Sequence, residues 1–508
     1  MRLGETELRL YNYDHPPVRP LVPGDTADHC GFRVIRLLFT GLVSQHPSDG
    51  TPFNAVAESV DSTDATTFTI TLRTGWTFHD GTPVTAASFV DAWNHTAYGP
   101  NNQAMAPQLE KILGYEDVHP EHGPPTTDRM RGLRVLDEHR FEVTLSTPFA
   151  IFPTTLCSPA FFPLPEAYFT DPERYLAQPV GNGPYAYVST TGAESSTELR
   201  LTAFTAHPGP DRPRVRDLRL VCHPDRDTAY RALLDGELDF LDALPPARVA
   251  DGSCARDLDG RVTGRHGLEL NALAFPTYLP GYDHPDLRKA VSLAIDRAQV
   301  VERALGGHHR PADGFSVAGV PGHIAGQAAP YCTYDPEGAR AHLARSGFTG
   351  TLDFHSPVSA KGWLGAIAES VTRTLGLKCR LVLYDRVRDY AEAVEQRKVT
   401  GIFRSDWAPD YPALENFLRP LFHSRSPFND SGYHNPIFDT LLSRADEAPD
   451  IPTATALYQA AERLLADDMP HVPLWQEWAT AGHSPRLTGV AMNYNAELDL
   501  RTVTVSTR

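Results

Sequence analysis

Between residues 286 and 468 the chain switches its hydrophobic period repeatedly, and this constrains its fold more than any other feature. Leu287, Ala290, Val291, Ala294 and Val301 share one helical face, predicting a single helix over 286–305 that stops at Gly306-Gly307. Further amphipathic helices are expected over 335–346 and 453–468. Between them lie the strand-like runs TLDFHS (351–356), CRLVLYD (379–385) and TGIFRSDW (400–407). Such alternation builds a sheet with helices packed on it, an α/β arrangement. The upstream half has another texture. Residues 6–13 alternate as a strand, 15–23 form a Pro-rich connector, and 32–43 carry a helix ending near Gly41. Alternating runs at 66–73 and 139–146 read as antiparallel strands, with a helix over 85–98 capped by Thr85 between them. After a Gly/Pro turn at 179–185, strands return, followed by a helix over 227–234. A chain of 508 residues is too long for one core. No low-complexity linker divides it, so its domains are expected to be interleaved.

The formal charge of 46 − 63 = −17 argues against a nucleic-acid partner and against adsorption to an anionic membrane surface, while favouring cationic solutes. The 44 prolines, with abundant Arg, Asp and Ala, match the usage of a high-GC, actinobacterial-type proteome. Six cysteines, at 30, 157, 222, 254, 332 and 379, are scattered without a Cys-x-x-Cys, which disfavours a zinc ribbon and leaves disulfides and free thiols both open. The first residues lack the apolar core of an export signal. Either the protein stays in the cytoplasm or this is a mature form restarted with methionine. The longest apolar stretch, 149–169, contains four prolines and reads as packed core, not as a membrane span. There is no Gly-x-Ser-x-Gly elbow, His-Glu-x-x-His, phosphate-binding Gly-rich loop or Gly-x-Gly-x-x-Gly. The 21 histidines show no metal-ligand spacing, and His308-His309 is expected at the surface. No cofactor, metal or catalytic residue is therefore expected.

The segment 404–418, RSDWAPDYPALENFL, places Asp410 between Trp407 and Tyr411 in a loop shaped by Pro409 and Pro412. An acid beside water-excluding aromatics suits a buried ammonium group, held by a charge-assisted hydrogen bond. The other reading is a surface turn whose Asp caps a helix entered near Leu414.

Several segments then carry a family resemblance. Residues 72–93 (LRTGWTFHDGTPVTAASFVDAW), 179–185 (PVGNGPY), 233–240 (LLDGELDF) and 284–307 (HPDLRKAVSLAIDRAQVVERALGG) are followed by 334–348 (YDPEGARAHLARSGF), 406–418 (DWAPDYPALENFL), 433–445 (YHNPIFDTLLSRA) and 467–475 (DDMPHVPLW). In this order and spacing they resemble the oligopeptide- and dipeptide-binding solute receptors of ATP-binding-cassette importers, over nearly the whole chain.

The resemblance implies an α/β, two-lobed periplasmic-binding-protein fold with two hinge strands and an extra inserted domain, three domains in all. The N-terminal lobe would comprise 1–45, 178–267 and 479–508, the inserted accessory domain 46–177, and the distal lobe 268–478. It implies a monomeric extracytoplasmic receptor, lipid-anchored in its native form, that captures peptides by lobe closure and delivers them to a membrane-embedded permease. Asp410 would hold the ligand's α-ammonium group beside Trp407 and Tyr411. Asp406, Trp407 and Ala408 would pair with the peptide backbone in strand fashion, which gives affinity without reading side chains. Arg404 would face the ligand's carboxylate, or else pair with Asp406 at the surface. The opposite wall would come from Ala27–Cys30, with Asp28 or His29 facing the cleft or lying on a strand edge, and from Asn182. Ala408 stands where the best-known oligopeptide receptors have a disulfide-forming cysteine, so Pro409 and Pro412 must fix the loop. The second carboxylate, Asp406, points to short or basic peptides, such as arginine-containing ones. Alternatives within the resemblance are a receptor for a non-peptide solute (nickel chelate, sugar, opine) and a cytoplasmic enzyme reusing the fold, with Asp406 and Asp410 as an acid–base pair.

Overall fold

Rows of leucine across three strands build the first core. In the strand Gly4–Tyr11, Leu8 and Leu10 lie opposite Leu218 and Leu220 of the parallel strand Val215–Val221. These lie opposite Leu201 and Leu199 of the antiparallel strand Glu198–Ala203. All six are buried, as period-two alternation requires of one sheet face. The other face is charged: Arg219 pairs with Glu7 and Glu198, and Arg9 with Asp239. The structure, a computed structural model, describes residues 4–13, 15–26, 28–193 and 196–506. The chain divides into two compact units, one of residues 1–245, 254–264 and 480–508, the other of 246–253 and 265–479.

In the first unit the strand order is Tyr185–Thr191, Glu198–Ala203, Val215–Val221, Gly4–Tyr11 and Phe240–Leu241, with Gly482 and His483 pairing at the last. The helix His29–Leu38 buries Val34, Ile35 and Leu38. A separate antiparallel sheet runs in the order Ala57–Asp61, Thr67–Leu72, Arg140–Thr144, Leu133–Asp137. The helix Ala86–Ala97 starts in a capping box between Thr85 and Ser88. It stacks Phe89 on Phe141 at 5.9 Å and donates from Trp93 Nε1 to the Phe161 carbonyl at 3.0 Å. The apolar stretch 149–169 is packed here, with Phe149, Phe152, Leu156, Phe161 and Phe162 buried. Among the described residues no helix is long and apolar enough to cross a membrane.

In the second unit the strands run in the order Cys379–Tyr384, Leu352–Pro357, Ile402–Trp407, then residues 265–274 of the strand Val262–Ala274 and residues 471–479 of the strand His471–His483. The expected helix over 286–305 is two helices, Pro285–Leu293 and Arg297–Ala304. The break has a polar cause. Asp296 leaves the first helix to cap the second, accepting from Gln299 N at 3.0 Å, while its own amide donates to Ser370 Oγ. Arg297 then turns inward and donates to the carbonyls of Pro473, Cys332 and Ser292. All six cysteines are free thiols, five buried and Cys379 half-buried.

Candidate functional site

The strand Ile402–Trp407 is where the chemistry of the second unit concentrates. Along one edge it pairs antiparallel with Val262–Ala274, from Phe403 opposite Ala274 to Trp407 opposite Leu270. Along the other it pairs with the parallel strand Leu352–Pro357 at Ile402 and Phe403. Beyond Phe403 no strand among the described residues takes this second edge. Tyr390, on the helix Val387–Glu395, donates its hydroxyl to the Arg404 carbonyl, and along residues 405–407 this second edge has no strand partner among the described residues.

Alternation sends Ser405 and Trp407 to one face and Arg404 and Asp406 to the other. Ser405 and Trp407 line a narrow cleft with Leu270, Ala272, Phe422 and His471, with room for about one water molecule. Trp407 Nε1 and His471 Nε2 are both buried without a hydrogen-bond partner. Burial drives the His471 pKa down to about 3, so its ring is neutral. On the opposite face Arg404 Nε lies 3.3 Å from Asp406 Oδ1, close enough to attract but without hydrogen-bond alignment.

Past Trp407 the chain turns through exposed Ala408 and half-buried Pro409 to Asp410. The helix Glu415–Phe422 has Leu414 at its N-cap and no side-chain cap, so Asp410 is not a capping residue. Instead the Asp410 amide donates to Asn416 Oδ1 at 2.9 Å, which fixes the loop to the helix. The residue is half-buried, and loss of hydration pushes its carboxyl from the ordinary carboxylate range up to about 6. Tyr411 behind it is buried and donates to Glu415. Glu415 pairs with Arg419 and Arg419 with Asp446, which accepts from Tyr458 at 2.6 Å. This chain of paired charges anchors the loop. Asp430 is a second carboxyl driven up to about 6, by desolvation first and by Glu395, with Arg397 opposing.

In the first unit, His29 is the exposed first residue of the helix His29–Leu38, not a strand edge, and its ring stacks on Tyr13 at 6.1 Å. Asp28 caps that helix, accepting from Gly31 N at 2.8 Å. Ala27 lies outside the described residues. Asn182 is fully buried, and its carboxamide clamps Thr40 from both sides, accepting from Thr40 N at 3.0 Å and donating to Thr40 O at 2.9 Å. A Cβ on Gly181 would lie 1.9 Å from the Leu38 carbonyl oxygen, so only glycine permits this approach. His79 spans the same segment. The Gly181 amide donates to its Nδ1 at 3.1 Å, which leaves Nε2–H to donate to the Gly183 carbonyl.

The first unit also has a wide cavity beside the carboxyl ends of the strands Gly4–Tyr11 and Phe240–Leu241, the place where α/β sheets accept ligands. Arg33 in its wall pairs with Asp242 and Glu497 and donates to the Tyr11 carbonyl. Burial alone would raise Glu497, but Arg36 and Arg33 outweigh it and hold the carboxyl at about 2. Asp242 is raised by burial despite Arg33, and its Oδ1 is buried without a partner. Sequence reasoning missed these groups because they meet across more than 200 residues: Arg33 and Asp242 are 209 apart and Arg33 and Glu497 are 464 apart. It also missed Tyr390 and His471. Only the alternation of Ser405 and Trp407 toward a buried face hinted at the latter's position.

The fold is that of a solute-binding protein. Residues 51–429 match the family model described as bacterial extracellular solute-binding proteins, family 5 Middle, and the chain belongs to that family. It is 26% identical over 487 residues to the glutathione-binding protein GsiB of Pectobacterium atrosepticum, covering 92% of this chain and 88% of that one. It is 25% identical to the periplasmic murein peptide-binding protein MppA of Escherichia coli over 91% of this chain and 86% of the relative. The solved structure of the Escherichia coli murein tripeptide-binding protein MppA matches all of both chains, with a TM-score of 0.80 at 24% identity. Listeria monocytogenes OppA bound to peptide matches 99% of this chain and 100% of that one, with a TM-score of 0.76 at 22% identity. The two-lobed periplasmic-binding-protein fold expected from the sequence is thus the fold found.

Proposed function

We propose that this protein is an extracytoplasmic receptor that captures short peptides through their α-ammonium group at Asp410 and passes them to an ATP-binding-cassette permease. The observation that carries this reading is the pairing of two features in one segment: a strand edge over residues 405–407 with no strand partner among the described residues and, three residues on, a desolvated carboxyl with a pKa of about 6. A peptide laid along that edge would add a strand, matching main-chain groups only. Its amino terminus would give Asp410 the positive partner that desolvation makes valuable. The glutathione- and murein-peptide-binding relatives support a peptide-like ligand. The net charge of −17 and the carboxyls of Asp406 and Asp430 support a preference for basic peptides, arginine-containing ones among them. Arg404 serves the ligand's carboxylate only by giving up its attraction to Asp406.

In this reading the protein binds and does not catalyse, and it acts as a lipid-anchored monomer. Its N-terminal lobe is 1–45, 178–267 and 479–508, its accessory domain 46–177, its distal lobe 268–478. The separate four-stranded sheet within 57–144 supports the accessory domain. Asn182 is left out of the proposed site, because its amide is engaged with Thr40. Calorimetry with a tripeptide and its N-acetylated form tests the reading. Acetylation removes the ammonium and should cost at least about 2 kcal/mol of affinity. Equal affinity for the two forms overturns the role of Asp410.

A further inference from the structure

We infer that His15, Asp28 and Cys30 form a binding site for a borderline divalent metal ion of the zinc type. The inference is independent of the peptide reading. The three donors come from two stretches of the first unit: His15 from the connector after the first strand, Asp28 and Cys30 from the start of the helix His29–Leu38. One donor atom from each lies within 4.8 Å of the other two. His15 Nδ1 is 3.3 Å from Cys30 Sγ, and the Cys30 thiol donates to Asp28 Oδ1 at 2.5 Å.

Bonds of about 2.0–2.3 Å from zinc to nitrogen, oxygen and sulfur place tetrahedral donors roughly 3.3–3.8 Å apart. The present spacing reaches that with small side-chain shifts. One of the pairs must open, since the thiol now sits at hydrogen-bond range of the carboxylate. A thiol, an imidazole and a carboxylate together suit zinc or cobalt, and the sulfur selects against magnesium and calcium. On binding, the thiol proton leaves to solvent and the thiolate takes its place as ligand. Three protein donors leave the fourth tetrahedral position to water or to a ligand atom, and His15 is exposed, so that position is reachable.

The surroundings add a second thiol. Cys222, just past the strand Val215–Val221, donates to the His15 carbonyl at 3.3 Å. The connector that presents His15 is thereby tied to the sheet. The backbone is also fixed on the helix side, where Asp28 accepts from Gly31 N at 2.8 Å and from Val18 N at 3.0 Å. His15 Nδ1 now lies 2.8 Å from the Pro16 carbonyl, a contact that metal binding must replace.

Without metal, the same arrangement would be a helix cap that also accepts from a thiol. Chelator-dialysed protein titrated with zinc chloride by calorimetry, and with cobalt chloride by absorption, separates the two. The expected result is one strong equivalent of metal and a thiolate-to-cobalt charge-transfer band. Cys30→Ser should abolish the band, while His15→Ala and Asp28→Asn, the latter keeping a capping oxygen, should each weaken binding more than about tenfold with unchanged circular dichroism. Absence of the band in the parent protein, its survival in Cys30→Ser, or unchanged affinity in His15→Ala overturns the inference.

Discussion

If Asp410 holds the ligand's ammonium group, peptide affinity must fall in acid with a midpoint set by its raised pKa of about 6. The ionised carboxylate is the binding form, so the apparent dissociation constant scales with one plus the protonated-to-ionised ratio. That ratio is about 0.1 at pH 7 and about 10 at pH 5, which makes binding roughly tenfold weaker, or about 1.4 kcal/mol. A peptide ammonium with a pKa near ~8 stays charged across this window. Binding favours the charged carboxylate and pulls its pKa back down. A proton is therefore released on binding below about pH 6, and its release fades above that value. Titration calorimetry at pH 5, 6 and 7, in two buffers of different ionisation enthalpy, reads both affinity and proton count. Asp410→Asn should lose about 2–5 kcal/mol of affinity at pH 7 and remove most of the slope. Asp430 titrates in the same range, so Asp430→Asn is the control and should keep the slope. A flat affinity between pH 5 and 7, or a slope that persists in Asp410→Asn, refutes the assignment.

Other perturbations probe the scaffold. Gly181→Ala drives a Cβ to 1.9 Å from the Leu38 carbonyl oxygen and should cost at least about 2–3 kcal/mol, read as a melting temperature lowered by several degrees; an unchanged transition would contradict the close approach. Arg297→Lys replaces a planar fork that serves the Pro473, Cys332 and Ser292 carbonyls, and should cost about 2–4 kcal/mol in urea titration; full stability would show that one ammonium suffices. His471 is held neutral with a pKa near 3, so its contribution is complete above about pH 6.5 and is lost as pH falls toward 3. At pH 5 the unfolded chain gains about 2 kcal/mol from protonating it, and His471→Gln should flatten the stability slope between pH 7 and 5 by about that amount. An unaltered slope would mean that the ring protonates in the folded state.

What the sequence made legible follows period and caps. The strands Thr67–Leu72 and Ile402–Trp407 and the helix Ala86–Ala97 show their alternation or capping residues openly, and all fall within two residues of expectation. The helix over 286–305 misled because Leu287, Ala290, Val291, Ala294 and Val301 keep one face through a break that Asp296 and Arg297 impose by polar bonds to distant residues. Around the proposed anchor, the shape of the loop carrying Asp410 was readable because Trp407, Pro409, Tyr411 and Pro412 are neighbours in sequence. The open edge beyond Phe403, the neutral His471 and the Arg33–Asp242–Glu497 cluster were not, since each depends on pairing between remote segments. The His15–Asp28–Cys30 cluster escaped for the same reason: its 13-residue and two-residue gaps match no metal motif, and only the return of the chain to the helix start joins them.

The central claim is that the ligand is a peptide gripped by its amino terminus. A thermal-shift screen of free amino acids, di- to pentapeptides with and without arginine or lysine, glutathione, sugars and nickel tests it most directly, because a ligand of the folded state raises the melting temperature by mass action. Peptides with free amino termini should stabilise the protein, basic ones most strongly, and this stabilisation should be absent in Asp410→Asn. Stabilisation by a sugar or a metal chelate, with no response to any peptide, would contradict it.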